Sequence, residues 1–218
     1  SYTVKPEVDT DEITNYEFGW KTITKDGQLR FNGSAFYVDV TGLQSTIFDP
    51  SIVNLFFSDN AADATIKGVE GDFTYFTNIE GLSVAGAFSF LDTEITEKLV
   101  PTNDVVVGEE LAFAPGMQGN VRVRQEWGMT AGNVGHLQVQ FTYSDDSFSD
   151  IMEPNKARQA SYSYIDLRAG ITNDDLTAEL YVDNVTDERA EISNTFVFDR
   201  QRVAYIRPTT VGIRVKKN

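Results

Sequence analysis

From Leu176 onward every second residue is apolar: Leu176, Ala178, Leu180 and Val182 alternate with Thr177, Glu179, Tyr181 and Asp183. The same period returns in Val211, Ile213 and Val215, set against Gly212, Arg214 and Lys216. A period of two means extended strands with one apolar and one polar face. Nine candidate strands follow from this pattern, over 13–22, 29–41, 65–77, 82–92, 119–127, 137–144, 161–171, 176–183 and 211–216, with no convincing helix. Leu137, Val139, Phe141 and Tyr143 alternate without a slip against Gln138, Gln140, Thr142 and Ser144.

The connections carry a second pattern. Short turns at 25–28, 78–81, 128–135 and 172–175 alternate with long loops at 42–63, 93–117, 145–160 and 186–207. Asp26-Gly27 supplies the positive φ that a tight hairpin turn needs. In an up-and-down meander, alternate connections fall at opposite ends, so every short turn lies at one end and every long loop at the other. Membrane barrels show this asymmetry. Tyr16, Phe18, Trp20, Tyr75, Trp127 and Tyr143 share the apolar face, mostly near strand ends, where a bilayer interface would hold Tyr and Trp. Alternation alone leaves two settings open: a bilayer outside the apolar face, or the sealed core of a soluble β-sandwich. The expected fold is all-β, an antiparallel up-and-down transmembrane β-barrel segment.

Composition narrows the chemistry. The chain has 218 residues and a formal net charge of -15, a poor match to nucleic acid, which wants a basic surface. No run approaches the ~20 apolar residues of a membrane helix, which leaves a barrel open because its strands alternate. With no cysteine, thiolate metal sites, iron–sulfur clusters and thiol nucleophiles are excluded. No phosphate loop, nucleophile elbow or matched carboxylate pair stands out, so neither catalysis nor a cofactor is expected. Asp145, Asp146 and Asp150 lack the spacing of a calcium loop and read as a solvated loop. His136, the single histidine, reads as a surface residue. The sequons at Asn32 and Asn184 fall on strands and are discounted.

Residues 13–22, 29–44, 64–75, 82–96, 113–123, 164–171, 178–191 and 207–215 carry a family resemblance, in order and over nearly the whole chain. Its most specific part is the tail, Asn184-Val185-Thr186-Asp187-Glu188-Arg189 followed by Arg207-Pro208-Thr209-Thr210-Val211-Gly212. These segments resemble the C-terminal half of TonB-dependent outer-membrane receptors. The resemblance implies a barrel of about 22 strands with a plugged lumen, of which residues 1–218 would form the last nine strands. It implies a bacterial outer-membrane location and contact with membrane lipid and lipopolysaccharide. It further implies active uptake of a scarce nutrient, typically a ferric siderophore or related iron complex, energised by TonB and the inner-membrane complex through a plug. The plug and TonB-contacting segment do not occur in these residues. The chain begins without Met and ends Lys216-Lys217-Asn218 where the family usually ends in an aromatic, so a fragment is expected. The other readings are a soluble carbohydrate-binding sandwich and a free-standing small pore.

Two groups of candidate site residues follow. Phe48, Phe56, Phe57, Phe148, Phe196, Phe198 and Tyr205 lie in the long loops, where they would stack on a siderophore or haem, and Arg200 and Arg202 would pair with an anionic ferric complex. Packing of loop on loop is an equal explanation for each aromatic. On the charged face, Arg122, Arg124, Arg168 and Glu179 are candidates for cross-strand or plug contacts, because Arg pairs carboxylates bidentately. A solvated wall is the simpler reading of any one of them.

Overall fold

The structure is a computed structural model that describes residues 8–49, 55–101, 103–197 and 200–217. Its main element is a nine-stranded antiparallel sheet. In chain order it comprises β1 (Glu12–Ile23), β2 (Leu29–Asp49), β3 (Leu55–Phe76), β4 (Leu82–Lys98), β5 (Met117–Gly128) and β6 (Val134–Ser144). After the short pair β7 (Ser147–Phe148) and β8 (Arg158–Gln159) come β9 (Tyr162–Thr172) and β10 (Leu176–Asp183). A hairpin of β11 (Glu191–Val197) and β12 (Arg200–Tyr205) precedes the last strand, β13 (Thr210–Lys217). The order across the sheet is β1-β2-β3-β4-β5-β6-β9-β10-β13, an up-and-down meander. Every short turn therefore falls at one end and every long connection at the other. Among the described residues β1 and β13 do not pair, so the sheet is open.

Register lines up the two faces. One row runs Arg124, Gln138, Arg168, Tyr181 and Gly212 across five strands. The neighbouring row runs Gln125, Leu137, Ala169 and Leu180, ending on Ile213. The polar face is the crowded one: Ser34, His136 and Gln138 are buried, as on the concave side of a curved sheet. The apolar face is open, with Leu137 48% exposed, Phe141 45% and Leu180 50%. No second sheet covers Leu137, Val139 or Leu180, so the sandwich reading fails.

Rings lie over glycines on this convex face. A side chain at Gly33 would meet the Trp20 ring, and one at Gly71 the Phe88 ring, at 2.5 and 2.9 Å. Gly33 and Gly71 are direct register partners. Their bare backbone is thus covered by neighbouring aromatics rather than left as a groove.

The connections expected at 42–63 and 93–117 are shorter than the sequence suggests. β2 continues to Asp49, β3 begins at Leu55 and β4 runs to Lys98. Alternation persists there with its polarity reversed. Asp39, Asp92 and Glu94 are exposed on the outer side, whereas Val40, Ala64 and Ile95 are buried on the inner side. An inner apolar cluster forms from Ile47, Ala61, Ala62, Ile95, Val100, Val105, Ile151 and Met152. It joins the β2–β3 extension to the segments after β4 and β6. Bulges at Val40/Leu43 and Asp63/Ala64 re-aim the strands within this region.

The convex apolar band can be measured. It ends where Tyr37, Lys67 and Asp92 share a row, with Lys67 Nζ 3.0 Å from Asp92. From Lys67 down to Tyr75 the strand covers about 27 Å at the usual rise. At the ~40° tilt of barrel strands this is about 20 Å of height, most of the ~25 Å apolar band of an outer-membrane barrel.

Candidate functional site

The charged face of β5, β6, β9, β10 and β13 carries two side-chain networks. Glu179 is the hub of the larger, with a side chain only 11% exposed. Its carboxylate lies 3.2 Å from His136 Nε2, 3.4 Å from Arg214 Nη1 and 3.7 Å from Arg168 Nη1. Arg168 also reaches Asp183 at 3.4 Å. Arg124 donates to Glu126 at 2.8 Å and to Gln138 at 3.4 Å. Strand alternation places all these groups on one face, and antiparallel register brings them side by side.

His136 is not the surface residue its sequence position suggested. Its side chain is 2% exposed. Gly170 opposite it has no Cβ; one placed there would lie 2.6 Å from His136 Cε1. The missing side chain lets the imidazole lie flat on the wall and reach Glu179. No pattern in the sequence announces this, because the pairing depends on the register of β6, β9 and β10.

The tail motif forms a tie between β10 and β13. Asn184 adopts φ 52°, Asp187 φ 47°, and Asn184 is 3% exposed. The Asn184 backbone N–H donates to Asp166 at 2.8 Å. Its side-chain amide donates to the carbonyls of Glu188 at 3.0 Å and Arg207 at 2.8 Å, and its Oδ1 accepts from the Glu188 N–H at 2.9 Å. Thr209 closes the tie, donating through Oγ1 to the Asn184 carbonyl at 2.8 Å. Asn tolerates the left-handed backbone and offers both donors and an acceptor, which few other side chains combine. The strand stops here, and the β11–β12 hairpin stands on this base.

At the loop end the long-loop candidates separate by environment. Phe57 packs against the inner apolar cluster. Phe148 lies under Lys156, whose Nζ is 4.6 Å from the ring centroid. Lys156 is itself 9% exposed and bonds Glu109 at 2.6 Å and Glu153 at 3.0 Å, tying two connections together. Burial acts to lower its pKa, but the hydrogen bonds to Glu109 and Glu153 outweigh it and the net direction is upward. Arg158 holds Asp146 at 2.7 Å, and that hydrogen bond lowers the Asp146 pKa. Asp145 and Asp150 accept backbone N–H bonds from Asp146 and Met152, so residues 145–160 form a hydrogen-bonded structure rather than a solvated loop.

Tyr205 is exposed and donates to Glu191 at 3.3 Å. Arg200 and Arg202 alternate with Gln201 on β12, opposite Val197 and Thr195, and both are exposed. Phe48, Phe56 and Phe196 lie on strands β2, β3 and β11, with side chains outside the described set, and Phe198 lies outside the described residues. Among the described residues, no group of His, Cys, Asp or Glu is arranged to hold a metal ion.

An open antiparallel meander with a charged concave face, an apolar convex face, short turns at one end and long connections at the other is part of the wall of a transmembrane β-barrel. Residues 5–185 match the family model for the β-barrel of TonB-dependent receptors. The chain belongs to that family. The fold is shared with the ferric yersiniabactin uptake receptor FyuA of Yersinia pestis (TM-score 0.73, 20% identity), covering 94% of this chain and 29% of that one. It is shared too with the siderophore receptor PiuA of Acinetobacter baumannii (TM-score 0.71, 15% identity, 98% and 30% covered). The ferric preacinetobactin receptor BauA of the same species is also similar (TM-score 0.69, 18% identity, 94% and 29% covered). This chain therefore spans under a third of the length of these receptors. Comparison with curated proteins gives no match. The family consists of receptors for transport rather than enzymes.

Proposed function

We propose that this chain is the C-terminal wall of an outer-membrane receptor that imports an iron chelate of the siderophore type, with TonB supplying the energy through a lumen-filling plug. The convex face would meet lipid and lipopolysaccharide, the concave face would line the lumen, and the short turns would face the periplasm. The carrying observation is the convex band: every strand of the sheet presents exposed apolar side chains on it, and on β2, β3 and β4 it ends at one level, the row of Tyr37, Lys67 and Asp92. Such a band has a stable setting only in hydrocarbon. An open sheet in lipid would leave backbone groups unpaired at β1 and β13, so the remaining strands of a full-length receptor complete the wall.

The β11–β12 hairpin is the best-placed contact for the chelate. Residues 184–209 hold four acidic and four basic residues, unlike the other long connections, in which acidic residues predominate. Arg200 and Arg202 share one face of β12 and would meet an anionic chelate there, whereas Tyr205 lies on the alternate face and would offer a ring to stack on from that side. In the full-length receptor, the double substitution Arg200→Ala/Arg202→Ala should weaken binding of an anionic ferric chelate about tenfold or more, given ~1.5–3 kcal/mol per charged hydrogen bond. Unchanged affinity in a binding titration removes the hairpin from the site. Uptake of labelled iron that persists without TonB removes the transport reading.

A further inference from the structure

The two halves of the tail motif, 184–189 and 207–212, lie far apart in the chain and meet at the foot of the β11–β12 hairpin. Asn184 joins them. Its backbone is held to the wall through Asp166, and the Val185 N–H donates to the Ile165 carbonyl at 2.8 Å. Its Nδ2 donates to the carbonyls of both Glu188 and Arg207, so one amide holds both legs of the hairpin. Asp187 adds a second link, accepting from the Thr209 N–H at 3.2 Å and from Arg189 at 3.1 Å. Pro208 biases Arg207 toward an extended backbone. The last rung of the hairpin, from the Ile206 N–H to the Ala190 carbonyl at 3.0 Å, stands directly on this junction.

Away from its foot the hairpin has little else to fix its angle. None of the described residues of 184–209 belongs to the inner apolar cluster that anchors the connections after β4 and β6. The hairpin approaches the wall at β8. Asn194 of β11 is buried, but its side chain bonds Glu191 and Gln201 of the hairpin itself. Gln159 of β8 keeps a buried Nε2 with no partner among the described residues. The hairpin is therefore a lever on a hydrogen-bonded pivot. From Ile206 back to Arg202 and Arg200, a strand covers about 14 and 20 Å. A tilt of about 10° at the foot then shifts these two positions by about 2 to 4 Å, more than a charged hydrogen bond tolerates.

We propose that Asn184 is a positioning residue: its side chain, bonded to Glu188 and Arg207, sets the angle at which the β11–β12 hairpin stands on the wall, and through it the place where Arg200 and Arg202 meet a ligand. The second half of this statement rests on the chelate reading above. The backbone and the side chain select Asn together. Glycine would keep the φ of 52° and lose the amide. Aspartate would keep the acceptor for the Glu188 N–H and set a negative charge against two carbonyl oxygens.

The test uses the full-length receptor in detergent, as wild type, Asn184→Gly and Asn184→Asp, with heat-modifiable gel mobility confirming an intact barrel in each. One pair of spin labels, on Glu94→Cys and Val203→Cys, reads the distance from wall to hairpin. A second pair, on the register partners Ser193→Cys and Ala204→Cys, reads the hairpin itself. Binding is titrated with ferric complexes of a tris-catecholate, a tris-hydroxamate and citrate. Both substitutions should move the wall-to-hairpin distance by about 2 Å or more and leave the distance within the hairpin unchanged. Affinity for the chelate that the wild type binds should fall about tenfold or more. An unmoved wall-to-hairpin distance overturns the proposal, whatever the chelate does. A change in both distances overturns it too, because the hairpin has then melted rather than tilted. A tilted hairpin with unchanged chelate affinity upholds the pivot and removes the hairpin from the chelate site. A wild type that binds none of the three complexes defeats the functional reading, and the two distances still judge the pivot.

Discussion

Strands β2, β3 and β4 pass through two regions that obey opposite rules. Below the Lys67–Asp92 row, apolar side chains point outward and polar ones inward; above it, Asp39, Thr65 and Glu94 point outward while Val40, Ala64 and Ile95 turn in. The backbone is the same continuous ladder in both. What changes is the surrounding medium. The lower region has no apolar core of its own and relies on a hydrocarbon exterior. The upper region stands in water and builds a core from its own strands and loops, including Val100, Val105, Ile151 and Met152. A strand's apolar face therefore reports which side is dry at that height, and one strand can change its answer along its length.

The contrast can be broken from either side. Ile95 is fully buried in the upper core, so Ile95→Ala should cost about 2–5 kcal/mol of local stability. Faster protease cleavage within 99–116 would show it, and an unchanged rate would mean the cluster is not a core. Arginine substitutions probe the exterior directly. Leu180→Arg, on the convex face, should cost about 2–4 kcal/mol of folding free energy in lipid vesicles. Thr65→Arg should cost nothing measurable, because Thr65 faces outward between Asp39 and Glu94. Equal costs at the two sites would mean that both meet the same medium.

Two smaller effects sharpen the upper region. Lys156→Met removes two ion pairs and the cation held over Phe148, and should loosen residues 145–160 by about 1–3 kcal/mol. Hydrogen exchange of those amides would read it, with the strands below unaffected. The smallest effect is acid-dependent. Asp146 has a folded-state pKa below its ordinary 3.8, set first by the hydrogen bond from Arg158. Its contribution is complete above the unfolded pKa and disappears as pH falls through the lower folded value. Exchange protection in 145–160 should thus hold at neutral pH and fall below about pH 4, and Asp146→Asn should remove that step.

Much of the band was legible because period-two alternation is local. Leu137 to Ser144 could be read without knowing any neighbour, and so could the short-turn and long-loop rhythm that fixes the meander. The upper strands were misjudged as loops for a physical reason. Ile95, buried between exposed Glu94 and Thr96, continues the alternation of β4 on the other face, and reversed polarity looks like a broken pattern until the medium on each side is known. The sites were less legible. Arg124 and Arg168 stood as candidates for cross-strand or plug contacts; Arg168 meets Glu179 and Asp183 of β10, which only register reveals, whereas Arg124 meets Glu126 two residues along its own strand. His136 was misread because its burial depends on Gly170, distant in sequence and adjacent in space.

The amino-acid order alone determined that this chain makes amphipathic strands, how many cross the sheet, and which ends carry the long connections, since each follows from residues a few positions apart. The tertiary structure decided which charges neutralise one another and where the apolar face changes sides. Those outcomes depend on groups brought within about 3 to 4 Å by cross-strand pairing, between residues that the chain itself keeps far apart.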